Sequence, residues 1–204
     1  MPTTLRELSG VPPSVPVLKD SVLVIVDAQN EYVPAASSPT YLFRYSDGHL
    51  KTANDVSTRK AISELLERYR DAKSSVIHVV HDTPEGAPIF TPSTPLAEIF
   101  PELTPQSHEA VVHKAVPGAF TDTRLDDLIK QTGKQQVVLV GYMAHVCVST
   151  TARQASEKGY DVILAKGAIG DRDIPGAKAE AVVDTVLKEL ADAFGTVVDV
   201  GQIA

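Results

Sequence analysis

Hydrophobic residues gather in four short, nearly unbroken runs: Val22-Leu23-Val24-Ile25-Val26, Val76-Ile77-His78-Val79-Val80, Val137-Val138-Leu139-Val140 and Val162-Ile163-Leu164-Ala165. Runs this short and this rich in β-branched residues predict parallel strands covered on both faces. Two weaker strands are expected at Ala110-Val111-Val112-His113 and Val197-Val198-Asp199-Val200. Helical spacing fills the intervals. Ala61, Ile62, Leu65, Leu66 and Tyr69 form one stripe, with Glu64, Glu67, Arg68 and Arg70 turned away. Leu125, Leu128 and Ile129 form a second, with Asp122 or Thr123 as N-cap and Gly133 as the stop. Val148, Ala152 and Ala155 predict a third helix ending near Gly159, and Val182, Val183, Val186, Leu187 and Leu190 a fourth. Strands alternating with helices imply βαβ units and a three-layer α/β/α sandwich.

Two stretches break this alternation: Tyr32 to Leu50, and the proline-rich segment His81 to Pro105. Each follows the carboxyl end of a predicted strand, where open α/β sheets bind ligands, so both are expected to wall a pocket. With 204 residues the chain fits a single domain spanning 1–204, large enough to fold without disulfides or metal. A net charge of −7 without a basic cluster speaks against nucleic acid and anionic membranes as partners. No apolar stretch approaches the ~18 residues of a membrane span. Without a visible secretory signal, and with one cysteine, a cytoplasmic address is expected.

Three residues share strand ends. Asp27 follows Val26, Lys114 follows His113, and Cys147 opens the third helix beyond Gly141. If the strands share one sheet, the three side chains emerge at one edge. A thiol there would feel the positive end of the helix dipole and the Lys114 ammonium, both of which favour thiolate. Asp27 could exchange the thiol proton, and the helix N-terminus offers N–H groups to an oxyanion. Taken singly, each residue has an ordinary structural explanation as a core cysteine, a turn aspartate or a surface lysine. No phosphate-binding glycine motif is present. His78 and His81 should point to opposite strand faces, and Asp47 and His49 lie in another loop, so no metal and no other cofactor is expected.

The segment Gly141-Tyr142-Met143-Ala144-His145-Val146-Cys147-Val148-Ser149-Thr150-Thr151-Ala152-Arg153-Gln154-Ala155 resembles the nucleophile segment of the isochorismatase-like cysteine hydrolases. Asp27-Ala28-Gln29-Asn30-Glu31-Tyr32 is similar to that family's Asp-x-Gln-Asn-Asp-Phe opening, and Lys114-Ala115 with Phe120, Thr123 and Leu125 to its lysine segment. Gly159-Tyr160-Asp161-Val162 matches the turn into the next strand, and the resemblance runs from about residue 20 to 200. It implies a six-stranded, mostly parallel sheet of order 3-2-1-4-5-6. It also implies a catalytic triad of Asp27, Lys114 and Cys147, and a cis peptide between Tyr142 and Met143. The N–H groups of Met143 and Cys147 would serve the oxyanion. Gln29, Tyr32, His81, Phe120 and His145 are the expected substrate-binding residues. Nicotinamidases of this family hold a metal with an Asp-x-His and a further His. Here the matching region reads His81-Asp82-Thr83-Pro84-Glu85-Gly86, and that pattern is missing.

The resulting expectation is a hydrolase of a small amide, carbamoyl or ureido substrate that works through a thioester and assembles as a homo-oligomer. Two alternatives stand beside it. One is isochorismate-type vinyl-ether hydrolysis, with Arg44 and His49 as carboxylate partners. The other is a binding protein of the same fold without turnover.

Overall fold

The computed structural model describes residues 2–33 and 48–204. Part of the first long loop, including Phe43, Arg44, Tyr45 and Asp47, lies outside the described residues. Six strands form one sheet: β1 (Ser21–Val26), β2 (Ser75–His81), β3 (Ala110–Lys114), β4 (Gln136–Gly141), β5 (Asp161–Ile169) and β6 (Thr196–Asp199). Their order is β3-β2-β1-β4-β5-β6, and every neighbouring pair is parallel. The expected order is thus observed, and the sheet is entirely parallel.

Alternation along β1 explains its unbroken apolar sequence. Val22, Val24 and Val26 face one core, built with Leu125, Ile129, Ala152, Ala155, Val186 and Leu190. Leu23 and Ile25 face the other, built with Ile62, Leu65, Leu66 and Tyr69. Both faces are dry, so neither set of alternating positions can be polar. The first core lies under α3 (Leu125–Gln131), α4 (Ser149–Glu157) and α5 (Ala179–Ala193), and the second under α2 (Asp55–Asp71). A one-turn helix, α1 (Leu5–Leu8), begins an arm that is tied down by Arg6 and Ser14 to Thr196.

The start of α3 differs from expectation. Neither Asp122 nor Thr123 caps α3; Arg124 holds the cap position without a side-chain bond. Asp122 adopts φ 55°, which turns the chain before the helix begins. Thr123 still accepts the N–H of Leu125 while donating to the Ala119 carbonyl. Gly133, at φ 71°, follows the last turn as expected.

The chain reverses its direction of winding between β1 and β4, and the carboxyl ends of β1 to β4 meet around that point. This is where an open α/β sheet opens a crevice. The proline-rich segment closes down on it: Phe90, Leu96, Phe100 and Leu103 are buried, the last three in or beside short 3-10 turns at Pro95–Ala97 and Pro101–Leu103.

Candidate active site

Parallel pairing brings Asp27, His81 and Lys114 to one edge, because β1, β2 and β3 end together with His81 opposite Lys114. Asp27 stands one residue past β1 at φ 49°, a left-handed conformation that few residues other than glycine, asparagine and aspartate adopt and that recurs at functional sites. Its N–H is bound by the Val79 carbonyl, and its own carbonyl accepts from Gln29. On the other side, Gly141 ends β4 at φ 114° because any Cβ there would lie 2.0 Å from the Val26 oxygen. The Tyr142–Met143 peptide that follows is cis. The chain then makes one π-helical turn, Ala144–Val148, which carries Cys147 and runs into α4. Regular helix therefore begins at Ser149, two residues beyond the thiol.

Asp27, Lys114 and Cys147 meet and are almost entirely buried. Lys114 Nζ lies 2.8 Å from Asp27 Oδ2, 3.4 Å from Cys147 Sγ, 2.9 Å from His81 Nδ1 and 3.1 Å from the Val116 carbonyl. Burial dominates the ionisation of the anionic groups. Loss of water raises the Asp27 carboxyl to about 6, against the opposing pull of Lys114. Burial, reinforced by the Asp27 charge, raises the Cys147 thiol to about 12. The expectation of a thiolate favoured by Lys114 is thereby corrected: desolvation of a small buried anion, with the Asp27 charge, outweighs the ammonium. At neutral pH the resting pair is a carboxylate beside a thiol.

His81 is held neutral, since burial and the neighbouring ammonium lower it to about 4. Asp27, His81 and Cys147 offer an oxygen, a nitrogen and a sulfur within 4.8 Å of one another, a donor set that a metal ion could use. Lys114 contacts all three, so the chain's own cation already engages them. His78 points away into a buried cluster with Glu109 and Arg70, as the strand alternation requires.

The expected substrate-binding residues divide. Tyr32 is buried and stacked on Tyr142 at 5.0 Å, and burial together with the charge of Asp27 keeps its phenol protonated. His145 turns its Nδ1 to the buried Asp171 at 2.7 Å, and the same carboxylate oxygen accepts the His145 N–H. Two of them are engaged within the chain. Gln29 is fully buried and spends its amide on the His81 N–H, the His81 carbonyl and the Ala97 carbonyl, so it positions His81 and has no donor left for a substrate. Phe120 stacks on Tyr160 at 6.0 Å and is held by Gln154, seven residues or ~10 Å along the helix from Cys147. The N–H of Met143 has no acceptor among the described residues, whereas Ala144 N–H is taken by Gly170.

Glu31 was not singled out by sequence reasoning. Fully buried, it accepts the His49 N–H at 2.6 Å and the Phe90 N–H at 3.0 Å, joining both long loops beside the site. Its only sequence signal is its place in Gln29-Asn30-Glu31, where the family pattern carries an acidic residue.

Comparison with known proteins agrees with this architecture. The Isochorismatase domain matches residues 21–202, and the chain belongs to that family of hydrolases. It is 53% identical over 196 residues to the secreted isochorismatase effector Isc1 of Verticillium dahliae, covering 96% of each chain. It is 36% identical over 123 residues to a streptothricin hydrolase of Streptomyces noursei, covering 60% of this chain and 48% of that one. Among solved structures, an isochorismatase from Pseudomonas putida superimposes with a TM-score of 0.87 at 30% identity, over 100% of both chains.

Proposed function

We propose that the protein is an isochorismatase-type hydrolase that cleaves the vinyl ether of a small substrate, with Asp27 as the acid. The observation that carries this reading is the buried Asp27 carboxyl, raised to about 6 beside a thiol raised to about 12. A vinyl ether opens by proton transfer to its terminal carbon, and a carboxyl with this proton affinity is suited to deliver it near pH 6. The adjacent carbon then becomes an oxocarbenium ion. Water adds to it, its surplus proton returns to Asp27, and the hemiketal separates into a ketone and an alcohol. Lys114 balances Asp27 whenever the carboxyl is ionised, and the Cys147 thiol stays neutral. The extensive similarity to a protein named an isochorismatase supports the same reading.

A second reading is hydrolysis of a C–N bond, supported by the 3.4 Å contact of Lys114 with Sγ and by similarity to a streptothricin hydrolase. Asp27 would take the thiol proton as sulfur attacks the carbonyl, pass it to the departing amine, and activate the water that cleaves the thioester. The two readings require opposite states of Asp27. Vinyl-ether cleavage slows as pH rises through about 6, because the acid is lost; amide hydrolysis quickens over the same interval, because the base is gained. The test is turnover of isochorismate, followed by keto-acid release, beside a panel of small amides. Activity of Cys147→Ala on isochorismate with a descending pH limb is the expected result. Turnover of amides alone, with an ascending limb and complete loss in Cys147→Ala, would replace the first reading by the second.

A further inference from the structure

The Lys114 ammonium stands at a point on which an oxygen, a nitrogen and a sulfur converge. Its Nζ lies 2.8 Å from Asp27 Oδ2, 2.9 Å from His81 Nδ1 and 3.4 Å from Cys147 Sγ. An ammonium only donates, so the lone pair of His81 Nδ1 is directed at that point. Cys147 Sγ accepts from it in the same way. Asp27 meets Nζ as an ion pair, and neither of its buried oxygens accepts a hydrogen bond. The three donor atoms lie within 4.8 Å of one another. Carboxylate, imidazole and thiolate are zinc ligands, binding at about 2.0–2.3 Å, so each would have to draw in by only about an ångström.

His81 is held in this orientation. Its N–H and carbonyl are both bound by the Gln29 amide, at 2.9 and 3.1 Å, and its ring lies against Phe90 with centroids 5.1 Å apart. Support of this kind fixes the direction of a metal ligand before the ion arrives. His81 is also the partly exposed member of the three, which gives an ion a way in. We propose that Asp27, His81 and Cys147 form a binding site for a thiophilic divalent cation of the zinc class, which competes with the Lys114 ammonium for one position.

Binding forms a metal–sulfur bond, the thiol proton leaves to solvent, and no electron changes hands. The ammonium keeps its hydrogens and withdraws toward the Val116 carbonyl, which already accepts from it at 3.1 Å. Three protein ligands leave the fourth tetrahedral position to water. Magnesium and calcium gain little here, because they require six or more oxygens and the three donors include one carboxylate. An ion held by Asp27 and Cys147 inhibits turnover. That consequence rests on the reading of these two as the reacting groups, whereas binding itself does not.

The test is titration of the full chain with cobalt(II), read by the near-ultraviolet charge-transfer absorption of a cobalt–thiolate bond. Cys147 is the one cysteine of the chain, so the band reports this site and no surface histidine. The expected result is one cobalt per chain, with the band abolished by zinc or EDTA and unaffected by magnesium. Cys147→Ala should show no band. His81→Phe keeps a ring against Phe90 and removes the lone pair; since loss of outer partners alone weakens metal binding 10–100-fold, it should weaken binding by at least about tenfold. Lys114→Ala removes the competing cation and should tighten binding by about tenfold. If either variant does not fold, His81→Leu and Lys114→Leu provide the same comparisons. No band in the parent up to about millimolar cobalt would overturn the proposal, because the ammonium then holds the position against the ion. Affinity unchanged in His81→Phe, or unchanged in Lys114→Ala, would overturn it as well. A band without loss of turnover would count against Asp27 and Cys147 as the reacting groups and leave the metal site standing.

Discussion

At the scale of single residues, the site is governed by water exclusion more than by attraction. Asp27 and Lys114 form an ion pair with both side chains at 0% exposure, yet the carboxyl still rises to about 6. A group in that state is poised for proton transfer, and its removal should be severe under either chemistry. Asp27→Asn is expected to lower turnover by roughly 10²–10⁴-fold, the usual worth of a positioned acid or base. Lys114→Met separates the two influences on the carboxyl. Without the cation, burial acts unopposed, so Asp27 holds its proton to higher pH and the midpoint of the pH–rate profile moves upward from about 6. A midpoint that stays fixed or falls would show that Lys114 does not set the ionisation of Asp27. Asp27, Lys114 and Cys147 could be picked out in the sequence because strand ends and a motif mark them. Their ionisation could not, because it depends on how completely the proline-rich segment and β3 cover them.

Among the elements, legibility follows burial. The four inner strands were readable because two dry faces demand unbroken apolar runs, whereas β3 and β6, at the edges, carry exposed or charged positions such as His113 and Asp199. The π-helical turn before α4 leaves no periodic signature in Ala144–Val148, and the role of Gln29 depends on backbone groups at His81 and Ala97, far away in sequence. Two predictions belong at this scale. Gly141 packs directly on the backbone of β1, and a methyl group there cannot be relieved by rotating a side chain. Gly141→Ala should therefore cost at least ~3 kcal/mol in urea unfolding. Glu109 clamps β2 to α2, accepting two bonds from Arg70, one from the Gln106 N–H and one shared with His78. Those donors overcome burial and hold its carboxyl down to about 2. A depressed carboxyl stabilises the fold above its unfolded value near 4.5 and loses that contribution as pH falls toward 2. Glu109→Gln should accordingly cost about 2–3 kcal/mol at pH 7, and the difference from the parent should shrink below pH 4.5. A gap that is unchanged at pH 3 would remove the electrostatic explanation.

For the whole molecule, the question is how a rigid sheet holds its crevice closed by long connections. The answer lies in a band of bonds between residues 28–33 and the proline-rich segment. Phe100 N–H binds the Ala28 carbonyl, Asn30 N–H binds the Glu98 carbonyl, and the Asn30 side chain binds the Pro95 carbonyl. Glu31 is the innermost stitch, and it alone among these residues accepts from both loops, at His49 and at Phe90. Phe90 is in turn the ring against which His81 rests, and it is held at φ 47°, a conformation it would not keep unaided. Loss of the carboxylate should thus be felt first at the site wall and only later in the sheet. In Glu31→Ala two N–H groups lose their acceptor, a penalty of ~1–3 kcal/mol each where they stay buried. The segment can avoid that penalty by opening to water. The expected outcome is hydrogen exchange accelerated by at least tenfold over residues 83–100, with strands β1, β4 and β5 exchanging as in the parent, together with a raised KM. Uniform acceleration across the sheet would instead make Glu31 a residue of general stability. Unchanged exchange at Phe90 would mean that the prolines alone hold the wall in place.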